Sequence, residues 1–326
     1  MLIKKNETKL KQVILNNIMS FEINTKDQQG ELRKQEPMSR HTSWKTGGNA
    51  DYYYIASDID DLVKFIAKLP NSIPITWVGL GSNLLVRDGG IPGVVISTSG
   101  LFNELKNISD TEILIGAGVS CAKAAHFSAR SGLGGIEFLA GIPGTIGGAL
   151  AMNAGAYGGE IWSYVKEVEI INRDGICKIL GKKEFDISYR SVSISKNEWF
   201  IACKMKLETS TGSLISERIK EMLKERADEQ PLGQLSCGSV FRNPPNQYAA
   251  KLIDECGLKG KRIGGAIVSE KHSNFIINTG NATSLDIEQL IEFVQKSVYE
   301  KYAIKLIPEV RIIGEGNTET NNACTN

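Results

Sequence analysis

Two short stretches carry residue types that can hold or move a proton. In Cys237-Gly238-Ser239-Val240-Phe241-Arg242-Asn243-Pro244, the glycine opens backbone angles closed to other residues and the proline fixes the exit of the turn. Ser239 and Asn243 can therefore be presented to a ligand. In Pro308-Glu309-Val310-Arg311, a two-residue alternation sends Glu309 and Arg311 to one face of an extended strand, where a carboxyl and a guanidinium could share one substrate. Taken singly, the first stretch also reads as a polar turn and the second as a surface ion pair. Cys237 adjoins the turn, yet no neighbour marks it as a thiolate nucleophile.

Two glycine-rich loops offer a different chemistry. Gly79-Leu80-Gly81-Ser82-Asn83-Leu84 and Gly141-Ile142-Pro143-Gly144-Thr145-Ile146-Gly147-Gly148 expose runs of unhindered backbone N–H groups, which is what a pyrophosphate needs from a neutral protein. The first lacks the third glycine of GxGxxG and has no acidic residue about twenty positions on to hold a ribose, which argues against a dinucleotide-binding Rossmann fold. The second lacks the lysine and Ser/Thr ending of a phosphate-binding P-loop. Each alone could be a tight turn in a crowded sheet. With Met152-Asn153-Ala154-Gly155-Ala156-Tyr157-Gly158 they point to one extended dinucleotide with a buried diphosphate.

The elements that must position these residues follow from periodicity. The chain has 326 residues, enough for two or three packed domains. Its 38 basic and 37 acidic side chains leave a formal charge of +1, so no global field draws nucleic acid. Six cysteines without a CxxC pair argue against a disulfide scaffold or zinc site, and no metal site is expected. No signal peptide or run of eighteen apolar residues is present, so a cytoplasmic protein without membrane contact is expected.

Residues 1–38 read as an N-terminal helix, with apolar spacing at Leu10, Val13, Ile14 and Ile18, followed by a charged linker. Tyr52–Ala56, a helix opening at Asp58, and Ile75–Gly79 read as a βαβ unit. Strands at 93–96, 112–116, 165–172, 176–180 and 199–208, with a small-residue helix at 121–131, complete an α+β region by about 212. His126 in that helix reads as packed. The charged stretch 213–231 reads as a solvated connector helix. A third region, 232–314, holds the serine turn, a helix at 249–255, a strand at 274–278, a helix at 286–302 and a final strand at 307–312. The tail 315–326 has no apolar pattern and reads as disordered.

In order and spacing, Lys45-Thr46-Gly47-Gly48, the two glycine loops, Asn153-Ala154-Gly155-Ala156-Tyr157-Gly158, Tyr189-Arg190-Ser191, Gly238 to Pro244, Leu252-Ile253-Asp254, Leu258-Lys259-Gly260, Ile263-Gly264-Gly265-Ala266 and Pro308 to Arg311 resemble the UDP-N-acetylenolpyruvoylglucosamine reductase (MurB) family. The resemblance covers roughly 40–314. It departs at Asn49, where proline is common in relatives, and at His41, where tyrosine often appears.

The resemblance implies an α+β, FAD-binding fold of the vanillyl-alcohol-oxidase (PCMH) type. Two subdomains, about 39–100 and 101–212, would form the FAD-binding domain, with a smaller α+β substrate-binding domain at 232–314. It implies non-covalent FAD, NADPH as co-substrate, and reduction of UDP-N-acetylglucosamine enolpyruvate to UDP-N-acetylmuramate for peptidoglycan, by an enzyme needing no obligate protein partner. The family's catalytic residues fall on Arg190, Ser239 and Glu309. Substrate contacts fall on Asn243, His272 and Arg311. Cofactor contacts fall on Gly79, Gly81, Ser82, Asn83, Leu84, Gly141, Pro143, Gly144, Thr145, Gly147, Gly148, Asn153, Ala154 and Gly155. The short path from Tyr189-Arg190-Ser191 to the connector resembles the subclass that lacks an additional substrate-clamping tyrosine loop. Two other readings remain at this point: an FAD oxidase of the same fold acting on an alcohol or sugar, and a non-catalytic nucleotide-sugar-binding protein.

Overall fold

The computed structural model describes Ile23 and residues 28–317. The first subdomain is built on a four-stranded sheet in the order Glu31–Pro37, Asn49–Ile55, Ile91–Ser97, Ile75–Val78. The first pair is antiparallel and the other two are parallel. The helix Ile59–Lys68 starts where Asp58 accepts a hydrogen bond from Asp61 N, an N-cap that satisfies one otherwise orphaned donor. Its Leu62, Phe65 and Ile66, spaced for one helical face, bury against Tyr54, Val94 and Ile96. The two strands of the expected βαβ unit flank Ile91–Ser97 instead of pairing with each other.

Glu31–Pro37 corrects the reading of this stretch as linker. Its charges conceal an edge strand, which needs only one neighbour for its ladder and leaves long side chains in water. The expected N-terminal helix lies outside the described residues.

The second subdomain carries an antiparallel five-stranded sheet in the order Cys177–Gly181, Val165–Asn172, Glu198–Lys206, Glu112–Gly116, Leu105–Asn107. The helices Cys121–Arg130 and Ile146–Met152 share its core. Ala124, Ala125 and Ala129 pack there with Ile113, Leu150, Trp162, Ile170 and Met205. His126 is exposed rather than packed, since it falls on the opposite face of its helix. The connector helix spans Gly212–Glu229 and is only partly solvated, because Ile215 and Ile219 are buried in the second subdomain's core.

In the third domain a small antiparallel sheet, Arg262–Ile263, Ala266–Val268 and Ile276–Asn278, packs with the helices Ala249–Glu255 and Ser284–Tyr302. A capping box between Thr283 and Asp286 starts the longer helix, and its Ile287, Leu290, Ile291, Val294 and Val298 form the core face. Trp44 and Leu85, from the first subdomain's part of the chain, are fully buried in this core. The last strand, Arg311–Ile313, pairs in parallel with Leu84–Val86. Glu315, expected in a disordered tail, exchanges two backbone hydrogen bonds with Gly89 and Gly90, and residues beyond 317 lie outside the described part.

Candidate active site

Tyr189 and Arg190 form the tip of a two-residue hairpin between Ile187–Ser188 and Ser191–Val192. Arg190 sits at φ +55°, a left-handed conformation unusual for a long side chain. From there its guanidinium donates to the carbonyls of Asn153 (3.3 Å) and Gly155, and its Nε lies 3.3 Å from Glu309 Oε1. That Nε–H is buried yet aligned on no acceptor, so the contact with Glu309 is electrostatic and a donor remains for a ligand. The Nε of Arg242 is a second buried N–H without a partner.

Glu309 is placed by backbone pairing, its N–H donating to Val240 O at 2.7 Å. Burial pushes its carboxyl above the usual range, while the positive charges of Arg190 and Arg242 pull the other way. The amide of Val310 converges on the same Val240 carbonyl at 3.4 Å, and the Val310 side chain is buried between the less buried Glu309 and Arg311. Glu309 lines the cleft and Arg311 does not. Arg311 opens the strand beyond, is exposed, and donates to Ala151 O at 3.2 Å outside the cleft lining.

Ser239 follows Gly238, whose φ of +73° requires glycine or strain. It faces a cleft of about 700 Å³ together with Arg190, Asn243 and Glu309. Asn243 uses its Oδ1 to accept from Ala249 N (3.0 Å) at the start of the next helix, which leaves its amide N–H groups for the cleft. His272 lies off the lining. Burial lowers its pKa, favouring the neutral ring, and its Nδ1 accepts from Asn274 N at 3.3 Å. Cys237 is buried, with its thiol pushed up to about 12 and directed at Leu84 O, so it ties the serine turn to the first glycine loop as a neutral group.

Of the expected cofactor residues, Ser82, Asn83, Gly141, Pro143, Ala154 and Gly155 line the same cleft. Gly79, Gly81, Leu84, Gly144, Thr145, Gly147, Gly148 and Asn153 are not among its lining residues. A Cβ on Gly79 would come within 2.6 Å of Thr145 Oγ1, and one on Gly144 within 3.2 Å of Ser82 Oγ, so these glycines let the two loops pack on each other. Thr145 caps the helix Ile146–Met152 through Gly148 N. Asn153 is almost fully buried, bonded to Glu160 and Ser188, and offers its carbonyl to Arg190. Asn83 Nδ2 donates to the Glu309 backbone carbonyl at 3.0 Å, joining the glycine loop to the Glu309 segment. Tyr157, read only as part of the Met152 to Gly158 stretch, lines the cleft, and sequence reasoning missed Arg226, Tyr248 and Asn274, also in the lining.

The cleft suits a flavin dinucleotide on its own terms: glycines bare much of one wall, and the lining residue Arg190 keeps a buried Nε–H without a hydrogen-bond partner. A pair of α+β subdomains presenting glycine loops to a cleft closed by a third domain defines a flavin-binding oxidoreductase. Residues 50–181 match the family model described as FAD binding domain, and 230–313 match UDP-N-acetylenolpyruvoylglucosamine reductase, C-terminal domain. The reductase of that name from Alkalilimnicola ehrlichii is 50% identical over 291 residues, covering 89% of this chain and 97% of its own. That from Legionella pneumophila (strain Corby) is 51% identical over 295 residues, covering 90% and 96%. The crystal structure of UDP-N-acetylenolpyruvylglucosamine reductase (MurB) from Thermus caldophilus matches with a TM-score of 0.75 at 32% identity, covering 87% of this chain and 98% of that one. The chain belongs to the UDP-N-acetylenolpyruvoylglucosamine reductase family, and its cofactor is FAD.

Proposed function

We propose that the protein reduces the enolpyruvyl ether of UDP-N-acetylglucosamine to the lactyl ether of UDP-N-acetylmuramate, with NADPH as electron source, in the cytoplasmic synthesis of peptidoglycan precursors. The observation that carries this reading is the convergence of Arg190, Glu309 and Ser239 on one glycine-walled cleft. Bound FAD supplies hydride transfer, with NADPH as the source and the enolpyruvyl methylene as the destination. Hydride addition leaves negative charge on the neighbouring carbon and, by conjugation, on the substrate carboxylate. The guanidinium of Arg190 and the carboxyl of Glu309, held toward its neutral, donating form by burial, stabilise that charge. Ser239 Oγ–H then protonates the carbon. A hydroxyl of ordinary acidity can do so because an enolate is a strong enough base.

The short chain path from the Arg190 hairpin through Glu198–Lys206 to the connector helix supports the subclass without an additional tyrosine loop. The test separates the two half-reactions. Ser239→Ala should keep anaerobic flavin bleaching by NADPH near the wild-type rate while slowing reoxidation by the enolpyruvyl substrate by about three orders of magnitude, within the range general acid catalysis supplies. Equal loss in both steps would make Ser239 structural. Failure of NADPH to bleach the wild-type flavin would overturn the reductase reading as a whole.

A further inference from the structure

We infer that Asn274, which nothing in the sequence singles out, is the positioning residue that holds the proton donor Ser239 in register with Glu309. The inference rests on the role proposed for Ser239 and deepens it. Asn274 is buried, with 4% exposure, and reaches the cleft from the turn that precedes Ile276–Asn278. Its side-chain amide grips both polar groups of one peptide unit's neighbour. Oδ1 accepts from Phe241 N at 3.0 Å, and Nδ2 donates to Phe241 O at 2.9 Å. Its own carbonyl accepts from Val240 N at 2.9 Å. The amide orientation is set by this pattern, because an N–H faces Oδ1 and a carbonyl faces Nδ2.

On its other edge the same segment is held by Glu309 N to Val240 O (2.7 Å) and Arg242 N to Ile307 O (2.9 Å). Residues 240–242 thus lie like a short strand between Asn274 and the 307–310 segment. One of the two neighbours is a single side chain imitating a backbone partner. Ser239 hangs from one end of that segment after the flexible Gly238, where a Cβ would meet nothing within 4 Å. Cys237 anchors the far side of Gly238 to Leu84 O, and on the other side Asn274 together with the 307–310 segment sets where the serine hydroxyl stands relative to the Arg190 and Glu309 pair. His272, expected at the substrate, belongs to this device: its Nδ1 accepts from Asn274 N.

The discriminating variant is Asn274→Asp, which keeps shape and the acceptor but turns the donor into an oxygen facing Phe241 O. Protonation of the new carboxyl restores a donor there. The purified holoenzyme is followed anaerobically in both half-reactions across the pH range in which a buried carboxyl titrates. At alkaline pH, bleaching by NADPH is expected at the wild-type rate, while reoxidation by UDP-N-acetylglucosamine enolpyruvate is slowed on the order of 100-fold, the scale of a small misplacement of a reacting group. The loss should shrink as pH falls. Arg242, Lys271, His272 and Glu309, with Glu229 and Lys259, whose charges act on His272, are present in both proteins, so the wild-type profile is the reference.

An unchanged reoxidation rate, an equal loss in both half-reactions, or a loss that acid does not reverse would each overturn the inference. Ser239→Ala measured alongside keeps the two ideas apart: if that variant reoxidises normally, the role of Ser239 is wrong, whereas a slow Ser239→Ala with a normal Asn274→Asp refutes only the positioning. Should Asn274→Asp give no holoenzyme, Asn274→Ser, which can serve only one of the two Phe241 groups, must slow reoxidation selectively at every pH or the inference fails.

Discussion

Glu309 shows how one side chain can carry opposite demands. Burial favours its neutral form, and the guanidinium 3.3 Å away favours its anion, with burial winning. Because its folded pKa lies above the unfolded value near 4.5, the native state keeps a proton that the unfolded chain releases between the two. The associated stability is complete below the unfolded value and is lost as pH rises through the folded one. In the substrate-free holoenzyme, Glu309→Gln should flatten the part of the stability decline that begins just above pH 4.5, measured by denaturant midpoints against pH. Identical slopes for variant and wild type would refute the raised pKa. Ser239 and Glu309 were legible in the sequence because glycine and proline neighbours mark presented polar groups, whereas Arg190 entered only through the family resemblance. The pairing of Glu309 with Arg190 instead of Arg311 was not legible, because it joins residues far apart in the chain and has no local sequence signature.

Elements whose pattern is local came through closely. The strands Glu112–Gly116 and Val165–Asn172 and the helix Ala249–Glu255 lie where periodicity puts them, since each has its own apolar face. Glu31–Pro37 and Leu84–Val86 were missed because their partners, Asn49–Ile55 and Arg311–Ile313, supply the reason for being extended. The hairpin turn after Val165–Asn172 illustrates the same dependence. Arg173 there is buried without a carboxylate partner, and its guanidinium donates to Pro70 O (2.6 Å), Ile73 O (2.8 Å) and Asn71 Oδ1 (3.2 Å) just past the first subdomain's helix. Burial lowers its pKa, but three oxygens keep the cation satisfied. Arg173→Ala should destabilise the protein by about 1–3 kcal/mol, the cost of leaving buried carbonyls unpaired. Thermal melts would show it, and a change within error of zero would mean water replaces the guanidinium without penalty.

Across the whole molecule, the candidate cleft is built by parts that share core and sheet. Trp44 enters the third domain's core from the first subdomain, donating to Ile276 O at 2.8 Å while Asn278 Nδ2 donates to Trp44 O at 2.7 Å. Leu85 buries in the same core, and its strand pairs with Arg311–Ile313 at the far end of the chain. Ser239 and Glu309 therefore meet the glycine loops through shared core and shared sheet, not across a hinged surface. This coupling predicts one unfolding event: loss of flavin absorbance features and loss of helical circular dichroism should coincide on heating. Trp44→Ala should lower that single transition, costing roughly 3–5 kcal/mol for the emptied indole site. A variant that instead splits into two transitions, with the flavin retained through the first, would show that the third domain unfolds alone and that the cleft is assembled by docking.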